Sequence, residues 1–270
     1  MVELENKYKM GVRRFGLINW VGAFSLYKKE VLRFIIVSGQ TLLGPILTSI
    51  LFLIVISLAI GEERSDVLGV PYIEFLANGL IMMQVIQQSF SHSSSSLMMS
   101  KMMGTIVDIV SSPLSAAEVT ISLVLASITR GLCIASISTI IFIIFLDLSI
   151  QNYFLWFSYL FLAGFFLGSA GIIAGLYADK FDQMATVTNF VIVPLSFLSG
   201  TFYSIEKLPD VLKTLSYYNP FFHMIDGFRF SFIGQSDGSI KFGIIFLLII
   251  SFITWYISYL LYRKGYKIKS

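Results

Sequence analysis

Six long apolar runs, separated by shorter segments that carry most of the charges, dominate the chain. A membrane-crossing helix needs about 20 mostly apolar residues, and each run supplies roughly that number. We therefore predict an all-α, polytopic membrane protein with six transmembrane helices, and Pro45 is expected to kink the first of them. The predicted spans are residues 34–60, 71–90, 116–146, 153–177, 184–203 and 242–262.

A different pattern precedes the first span. Between residues 20 and 34 large apolar side chains recur at steps of three and four, at Trp20, Phe24, Tyr27, Val31 and Phe34. The other side of this helix carries Lys28, Lys29 and Arg33. This pattern is typical of an amphipathic helix that lies in the membrane plane with its basic side chains towards anionic headgroups. An ordinary helix with a solvated face is the alternative.

Two short helical pieces are predicted before the last span, within residues 199–232. Pro209 can open the first, and Asn219 can cap the second with Pro220 in its first turn. Each piece has about ten residues, half of what a bilayer requires, which indicates a re-entrant or interfacial element. An amphipathic loop on the outer surface is the alternative. Asp226 and Arg229 are three residues apart and are expected to pair on one helix face.

The segment between the second and third spans, residues 98–115, predicts a short cytoplasmic helix bounded by Gly104 and Pro113. Thr105 and Asp108 have the spacing of a capping box, and Ser115 with Glu118 would form a second box at the start of the third span. Such a helix either docks onto a soluble partner or simply closes a turn.

Arg130 lies about fourteen residues into the third span, roughly 20 Å along its axis. An arginine at that depth costs about 2.5–3.5 kcal/mol, so we expect it to pair with a carboxylate, with backbone carbonyls, or with an anionic lipid or substrate group. Gln84, Gln87 and Gln88 share one face of the second span. They either line a path or form hydrogen bonds between helices.

Four glycines of the fourth span form two successive G-x-x-x-G spacings, at Gly164, Gly168, Gly171 and Gly175. Small residues at this spacing let two helices approach closely. We predict tight packing against a helix that the sequence does not identify.

Composition agrees with a membrane protein, since 56% of the residues are hydrophobic and 13% are charged, whereas soluble domains carry about 25% charged residues. The single cysteine, Cys133, excludes an internal disulfide, and His92 and His223 have no ligand-like companions. The sequence contains no phosphate-binding loop and no hydrolase or metalloprotease motif. We therefore expect no catalytic residue, no metal and no cofactor on this chain.

Basic residues are concentrated in the segments that alternate with the spans on the side of the N-terminus. The positive-inside rule then places both termini in the cytoplasm. On this basis the chain divides into a cytoplasmic N-terminus with the in-plane helix (1–33), a transmembrane domain (34–262) and a basic cytoplasmic tail (263–270).

Two motifs carry a family resemblance that extends over nearly the whole chain. The sequence K-M-M-G-T-I-V-D-I-V-S-S-P-L-S follows the second span, and L-S-G-T-F-Y-S-I-E-K-L-P, N-P and D-G-F-R follow the fifth. Together with the six spans they resemble the ABC-2 type permease family, the membrane subunits of bacterial ABC exporters. The chain is most similar to the short, stand-alone permeases of that family.

This resemblance implies a homodimer of permeases that works with two copies of a separate cytoplasmic ABC ATPase, on which ATP and Mg²⁺ bind. The helix from Trp20 to Arg33 would be the connecting helix against the ATPase, and the Gly104–Pro113 helix the coupling helix. Residues implied in ATPase coupling are Lys28, Lys29, Arg33, Lys101, Gly104, Thr105, Asp108 and Pro113. Residues that match the re-entrant signature are Ser199, Gly200, Phe202, Leu208, Pro209, Asn219, Pro220, Asp226, Gly227 and Arg229. Arg130 also matches a basic position of the family's third span.

The expected function is outward movement of an amphipathic, glycan-, lipid- or drug-like cargo across the bacterial inner membrane, with lipids and no nucleic acid as partners. The alternative is a stand-alone channel or a lipid-modifying membrane protein without an ATPase.

Overall fold

The computed structural model describes residues 18–60, 66–146 and 148–267. Over these ranges the chain is almost entirely helical, and its strand-like pairing is a single bridge between Val67 and Val70. The all-α prediction is confirmed. The basic lead-in before residue 18, most of the loop after the first span and the last residues of the basic tail lie outside the described residues.

Eleven α-helices follow one another in the described part of the chain. They are α1 (Trp20–Ile36), α2 (Gly44–Ile60), α3 (Tyr72–Met102), α4 (Ile106–Ser111), α5 (Ala116–Leu146), α6 (Tyr153–Tyr177), α7 (Phe181–Val187), α8 (Val193–Leu198), α9 (Asp210–Tyr217), α10 (Pro220–Ile233) and α11 (Ile240–Arg263). The described chain also contains two π-helical turns. Gly39–Leu43 leads into α2, and Thr188–Ile192 joins α7 to α8.

Within the described ranges, five continuous helical segments are long and apolar enough to cross a membrane: Gly39–Ala59, Ala116–Leu146, Tyr153–Tyr177, Phe181–Leu198 and Ile240–Arg263. They correspond to five of the six predicted spans. The remaining one lies in α3, which has 31 residues but a polar composition, rich in serine and glutamine. The count of six spans therefore stays a prediction.

Helix α3 is surrounded by other helices. Every residue from 75 to 86 is buried, and its neighbours are mainly α5, α6 and α10. A helix enclosed on all sides does not need an apolar face towards lipid, because protein provides its surroundings. In this environment α3 can bury the polar side chains of Asn78 and Gln84 within the helix bundle.

The glycines of α6 allow its close approach to two helices of the same chain. A Cβ atom at Gly168 would lie 2.1 Å from Ser127 Oγ of α5, and one at Gly171 would lie 2.5 Å from the Phe90 carbonyl oxygen of α3. A side chain at Gly171 would push the backbone of α3 away, and one at Gly168 would displace the Ser127 hydroxyl. The predicted tight packing is confirmed, and the helices that α6 packs against are α5 and α3.

The two π-helical turns have a common cause in the sequence. Proline lacks an amide hydrogen, and its ring collides with the carbonyl four residues earlier. Before Pro45 the helix widens so that the amide of Gly44 reaches the carbonyl of Gly39, and before Pro194 the turn Thr188–Ile192 behaves in the same way. The irregularity expected at Pro45 is therefore a π-helical turn. Because α1 continues to Ile36, the first span begins near Gly39, five residues later than predicted.

Helix α1 packs along the first half of α5. Asn19 Nδ2 donates to the Pro113 carbonyl just before α5 (3.0 Å), Ser122 Oγ donates to the Ala23 carbonyl (3.0 Å), and the hydroxyls of Tyr27 and Thr129 are 2.9 Å apart. These contacts advance in the same direction along both helices. The in-plane orientation of α1 stays a prediction.

Candidate functional sites

The short helix predicted between the second and third spans is present as α4, and it has one buried and one exposed face. Ile106 and Ile109 are buried, whereas the side chains of Val107 and Val110 are 63% and 50% exposed. Gly104, with a φ of +73°, makes the sharp turn between α3 and α4. The result is a small apolar surface that protrudes between the second and third predicted spans.

The two predicted capping boxes have different outcomes. Thr105 has helical backbone angles and no side-chain capping bond, so the box with Asp108 is wrong. The left-handed Gly104 already begins the turn, since its carbonyl accepts from Val107 N, and Thr105 is thereby drawn into the helix. The box of Ser115 with Glu118 is confirmed by bonds of 2.6 and 3.3 Å, and Glu118 also accepts from the amide of Asn19.

A cleft of about 390 Å³ separates α1 from α4, and it brings three of the predicted coupling residues together: Lys29, Asp108 and Pro113 line its wall. A second cleft, of about 480 Å³, lies on the other side of α4 and is lined by residues that include Val110 and Arg263. Helix α4 is thus a ridge between two grooves. Lys28, also predicted for coupling, is exposed on α1.

Lys101 turns towards the protein interior. Its Nζ donates to the carbonyls of Leu176 (2.9 Å) and Ala178 (2.7 Å) at the C-terminal end of α6. Helix ends leave such carbonyls without partners, and a cation at this position also complements the helix dipole. Lys101 is therefore a cap that joins α3 to α6.

The same helix end is tied to the C-terminal segment. Lys267 Nζ is 2.8 Å from the carboxylate of Asp179, which follows α6. The hydrogen bond from Lys267, with the positive charge of Lys101 nearby, lowers the pKa of Asp179, and the bond to Asp179 raises the pKa of Lys267. No local pattern in the sequence indicates this pair, because 88 residues separate its members.

A polar cluster that was not predicted joins α1 to α3. Glu30 is 1% exposed, and its carboxylate accepts from Arg33 Nε (3.0 Å) and Ser96 Oγ (2.7 Å) and lies 3.9 Å from His92 Nε2. Arg33 also donates to the His92 carbonyl. A signal existed in the sequence: Glu30 stands midway between Leu26 and Phe34, at steps of four, and therefore on the buried face of α1.

Arg130 contacts the polar stripe of α3 and, as one of the predicted alternatives, a backbone carbonyl. It is 7% exposed, and its Nη2 donates to the side-chain oxygen of Gln88 and, at 3.4 Å, to the carbonyl of Thr41. Gln84 is buried and Gln87 is half-buried. Arg130 Nε has no hydrogen-bond partner, and among the described residues no carboxylate lies within ion-pair distance of Arg130.

The helical element predicted within residues 199–232 opens as the sequence predicts. Asn219 caps α10 by accepting from the Phe221 amide (3.0 Å), and Pro220 is the first helical residue. Asn219 Nδ2 also donates to Ser199 Oγ (2.8 Å), beside Gly200, whose φ of +76° ends the fifth predicted span. Pro209 precedes α9, and the Phe202 ring stacks on Phe197.

The predicted pairing of Asp226 with Arg229 is wrong. The Asp226 carboxylate accepts from the amides of Asp237 (2.9 Å) and Gly238 (3.0 Å), which lie in the loop after α10. Arg229 points the other way and donates to the carbonyl of Gly200 (2.8 Å). The three-residue spacing allows a contact on a helix, but each side chain finds better-placed partners in another segment.

The exposed fraction of the side chains differs sharply between α9 and α10. In α10 every residue from 221 to 229 is buried, against α3, α6 and α11. In α9 the apolar side chains of Val211 and Leu215 are 73% and 60% exposed. The 8 and 14 residues of α9 and α10 give lengths of about 12 and 21 Å, too short to cross a membrane. Protein covers α10, which is the condition for a re-entrant element.

The similarity to known proteins extends over nearly all of the chain, including the helices and turns described above. The family model described as ABC-2 type transporter matches residues 22–233. The inner membrane transport permease YadH of Escherichia coli strain K12 is 31% identical over 253 residues, which cover 93% of this chain and 98% of YadH. Nodulation protein J of Neorhizobium galegae is 23% identical over 265 residues, which cover 92% of this chain and 94% of that protein.

Proposed function

The chain belongs to the ABC-2 type transporter family, and from this premise we propose that it exports an amphipathic cargo across the bacterial inner membrane. As a permease of this family it is the membrane subunit of an ABC transporter, a multi-pass protein that works with an ABC ATPase. Within the proposal, the ATPase is a separate cytoplasmic subunit present in two copies, and ATP and Mg²⁺ bind there.

The observation that carries the proposal is the exposed apolar ridge of α4. Val107 and Val110 project between two clefts whose walls include Lys29, Asp108 and Arg263. Large apolar side chains within a charged rim are the usual composition of a protein interface. The capping box of Ser115 with Glu118 and the bonds between Asn19 and Pro113 fix this ridge to α1 and α5. A movement of the ridge would therefore be transmitted to both helices.

A second copy of the chain is the proposed partner within the membrane. The segment Gly39–Ala59 exposes Gln40 and Thr48, and the segment Phe181–Leu198 exposes Asn189, each among apolar neighbours. Polar side chains within membrane helices face protein or water in preference to lipid. A homodimer would place these side chains along a shared cargo path, with both termini in the cytoplasm and the outer helices α9 and α10 as its lid. The export direction and the glycan-, lipid- or drug-like cargo are carried over from the family resemblance.

The test is co-expression with the ATPase encoded beside the permease gene, followed by purification and measurement of ATP turnover. Val107→Asp places a charge on the ridge and is expected to abolish association with the ATPase while the permease still inserts and folds. Val211→Asp is the matched control, since Val211 is a similarly exposed valine in α9, outside the two clefts that flank α4. It should leave association unchanged.

Retention of the ATPase by Val107→Asp would show that α4 is not the docking surface. Failure of the unaltered chain to bind any ATPase would instead favour a stand-alone channel or a lipid-modifying membrane protein.

A further inference from the structure

The polar cluster at the junction of α1, α3 and α5 is unbalanced in charge. Arg33 and Arg130 lie within electrostatic range of each other and of His92, whereas Glu30 is the one carboxylate in contact with the cluster among the described residues. The Oε2 atom of Glu30 already accepts hydrogen bonds from both Arg33 and Ser96. With His92 neutral, the cluster carries one positive charge in excess.

The excess charge belongs to Arg130. Its acceptors are both neutral, and its Nε has no partner. The carbonyl of Thr41 is available because Pro45, four residues later, has no amide hydrogen to give it. A guanidinium that is 7% exposed and held only by neutral dipoles favours an added anion, since burying an unpaired charge is costly.

The position of the cluster matches the inner boundary of a membrane. Helix α5 has 31 residues, so it is about 46 Å long and exceeds the hydrocarbon thickness of about 30 Å by roughly 16 Å. The excess lies at the cytoplasmic end, where α1 packs on α5 from Glu118 to Thr129. Arg130, about 21 Å from the start of α5, then lies about 5 Å inside the hydrocarbon boundary. Arg33 extends beside it with a side chain that is 34% exposed.

We propose that Arg33 and Arg130, with Gln88, bind the phosphate group of an amphiphile at the inner leaflet. The planar guanidinium matches phosphate oxygens with two parallel donors, which gives both charge and geometry. Glu30 turns Arg33 towards the cluster, while Gln88 and Thr41 hold Arg130 just inside the hydrocarbon boundary, within reach of the lipid phosphates that lie just outside it. The inference rests on the proposed membrane orientation. It implies that the lipid or cargo bound at this site is an anionic amphiphile.

The test uses the full chain in detergent micelles and in vesicles, with spin-labelled phosphatidylglycerol and phosphatidylcholine as probes. The motionally restricted fraction reports the preference for each lipid. The unaltered protein is expected to prefer phosphatidylglycerol, and Arg130→Gln and Arg33→Gln should each reduce that preference about fivefold, the effect of one basic residue near a headgroup. Lys241→Gln removes an exposed charge elsewhere and is expected to leave the preference unchanged.

Arg130→Lys should retain part of the preference, which separates a lost charge from a misfolded protein. Equal preference in the unaltered protein, Arg130→Gln and Lys241→Gln would overturn the proposal. Because these measurements need no ATPase, a failure here is distinct from a failure to assemble the transporter.

Two further arms identify the source of the phosphate. If inorganic phosphate displaces the spin-labelled phosphatidylglycerol and dioctanoyl phosphatidylglycerol does not, the ligand is not an amphiphile and the proposal is contradicted. Displacement by dioctanoyl phosphatidylglycerol supports an amphiphile. In proteoliposomes with the ATPase and ATP, a labelled phosphatidylglycerol that stays in its leaflet is a resident lipid, and one that crosses is cargo. Both outcomes support the site.

Discussion

The guanidinium carbon of Arg229 lies 3.6 Å from the centre of the Phe75 ring, so a buried cation of α10 rests on an aromatic face of α3. Arg229 is 1% exposed, and its Nη2 donates to the Gly200 carbonyl at 2.8 Å. The Phe75 ring and the Gly200 carbonyl oxygen together stabilise the positive charge of Arg229, as a carboxylate would in an ion pair. One side chain thereby ties α10 to α3 and to the turn that ends the fifth predicted span.

Phe75→Leu is expected to destabilise the fold by about 2 kcal/mol or more, because it removes a desolvated cation–π contact together with buried aromatic area. Thermal unfolding of the purified protein in detergent measures this. Phe252→Leu is the matched control, since Phe252 is 61% exposed. Equal melting temperatures for the two variants would mean that the ring contributes nothing to holding Arg229.

Gly227→Ala should destabilise the protein through overpacking. A Cβ atom at this position would lie 1.9 Å from Tyr159 Cζ, so the ring has to move and its hydroxyl would lose the bond to the Ile240 carbonyl. Overpacking of this kind costs about 1–3 kcal/mol. Gly39→Ala serves as the comparison, because a Cβ there meets no atom within 4 Å. The double variant Gly227→Ala with Tyr159→Leu should recover part of the loss in thermal stability, and no recovery would argue against the ring as the obstacle.

Lys101→Met is expected to weaken the junction of α3 and α6 by about 1–3 kcal/mol, since it leaves the carbonyls of Leu176 and Ala178 without their charged donor. Lys101→Arg should retain part of that stability, and Lys264→Met, an exposed lysine, should retain all of it. Thermal unfolding and ATPase co-purification are measured together. Unchanged stability with lost ATPase binding would assign Lys101 to the coupling surface that the family resemblance implies.

The contact between Asp179 and Lys267 should make stability depend weakly on pH. The pKa of Asp179 is lowered in the folded protein, so its stabilising effect is present above the ordinary pKa of about 3.9 and is lost as pH falls through the lowered value. The pKa of Lys267 is raised, so its effect is present below about 10.4 and is lost as pH rises through the raised value.

Asp179→Asn should therefore lower the melting temperature slightly between pH 5 and 9, and its effect should disappear only once the pH is below the lowered pKa of Asp179. Since the pair is exposed, 1 M salt should reduce the difference at neutral pH. A difference that persists at low pH and high salt would point to a contact other than the ion pair.

Local patterns in the sequence determined the elements of this protein. Apolar runs located the spans, and Gly104 and Pro113 bounded α4, because a left-handed turn and a missing amide hydrogen act on their immediate neighbours. The cap at Asn219 and the box of Ser115 with Glu118 are equally local, since both partners lie within one helical turn. The sequence predicted a span over residues 71–90 but did not show that other helices enclose α3, which is the condition that tolerates its polar side chains.

Partner choice was decided by the tertiary structure. Asp226 and Arg229 have the right spacing to pair, yet Asp226 binds two amides of the following loop and Arg229 binds Phe75 and Gly200. Glu30 meets Ser96 across 66 residues, and Arg130 meets a carbonyl that Pro45 leaves free. A buried charge takes the nearest acceptors or donors that desolvation leaves open, and which segments provide them depends on how the helices pack.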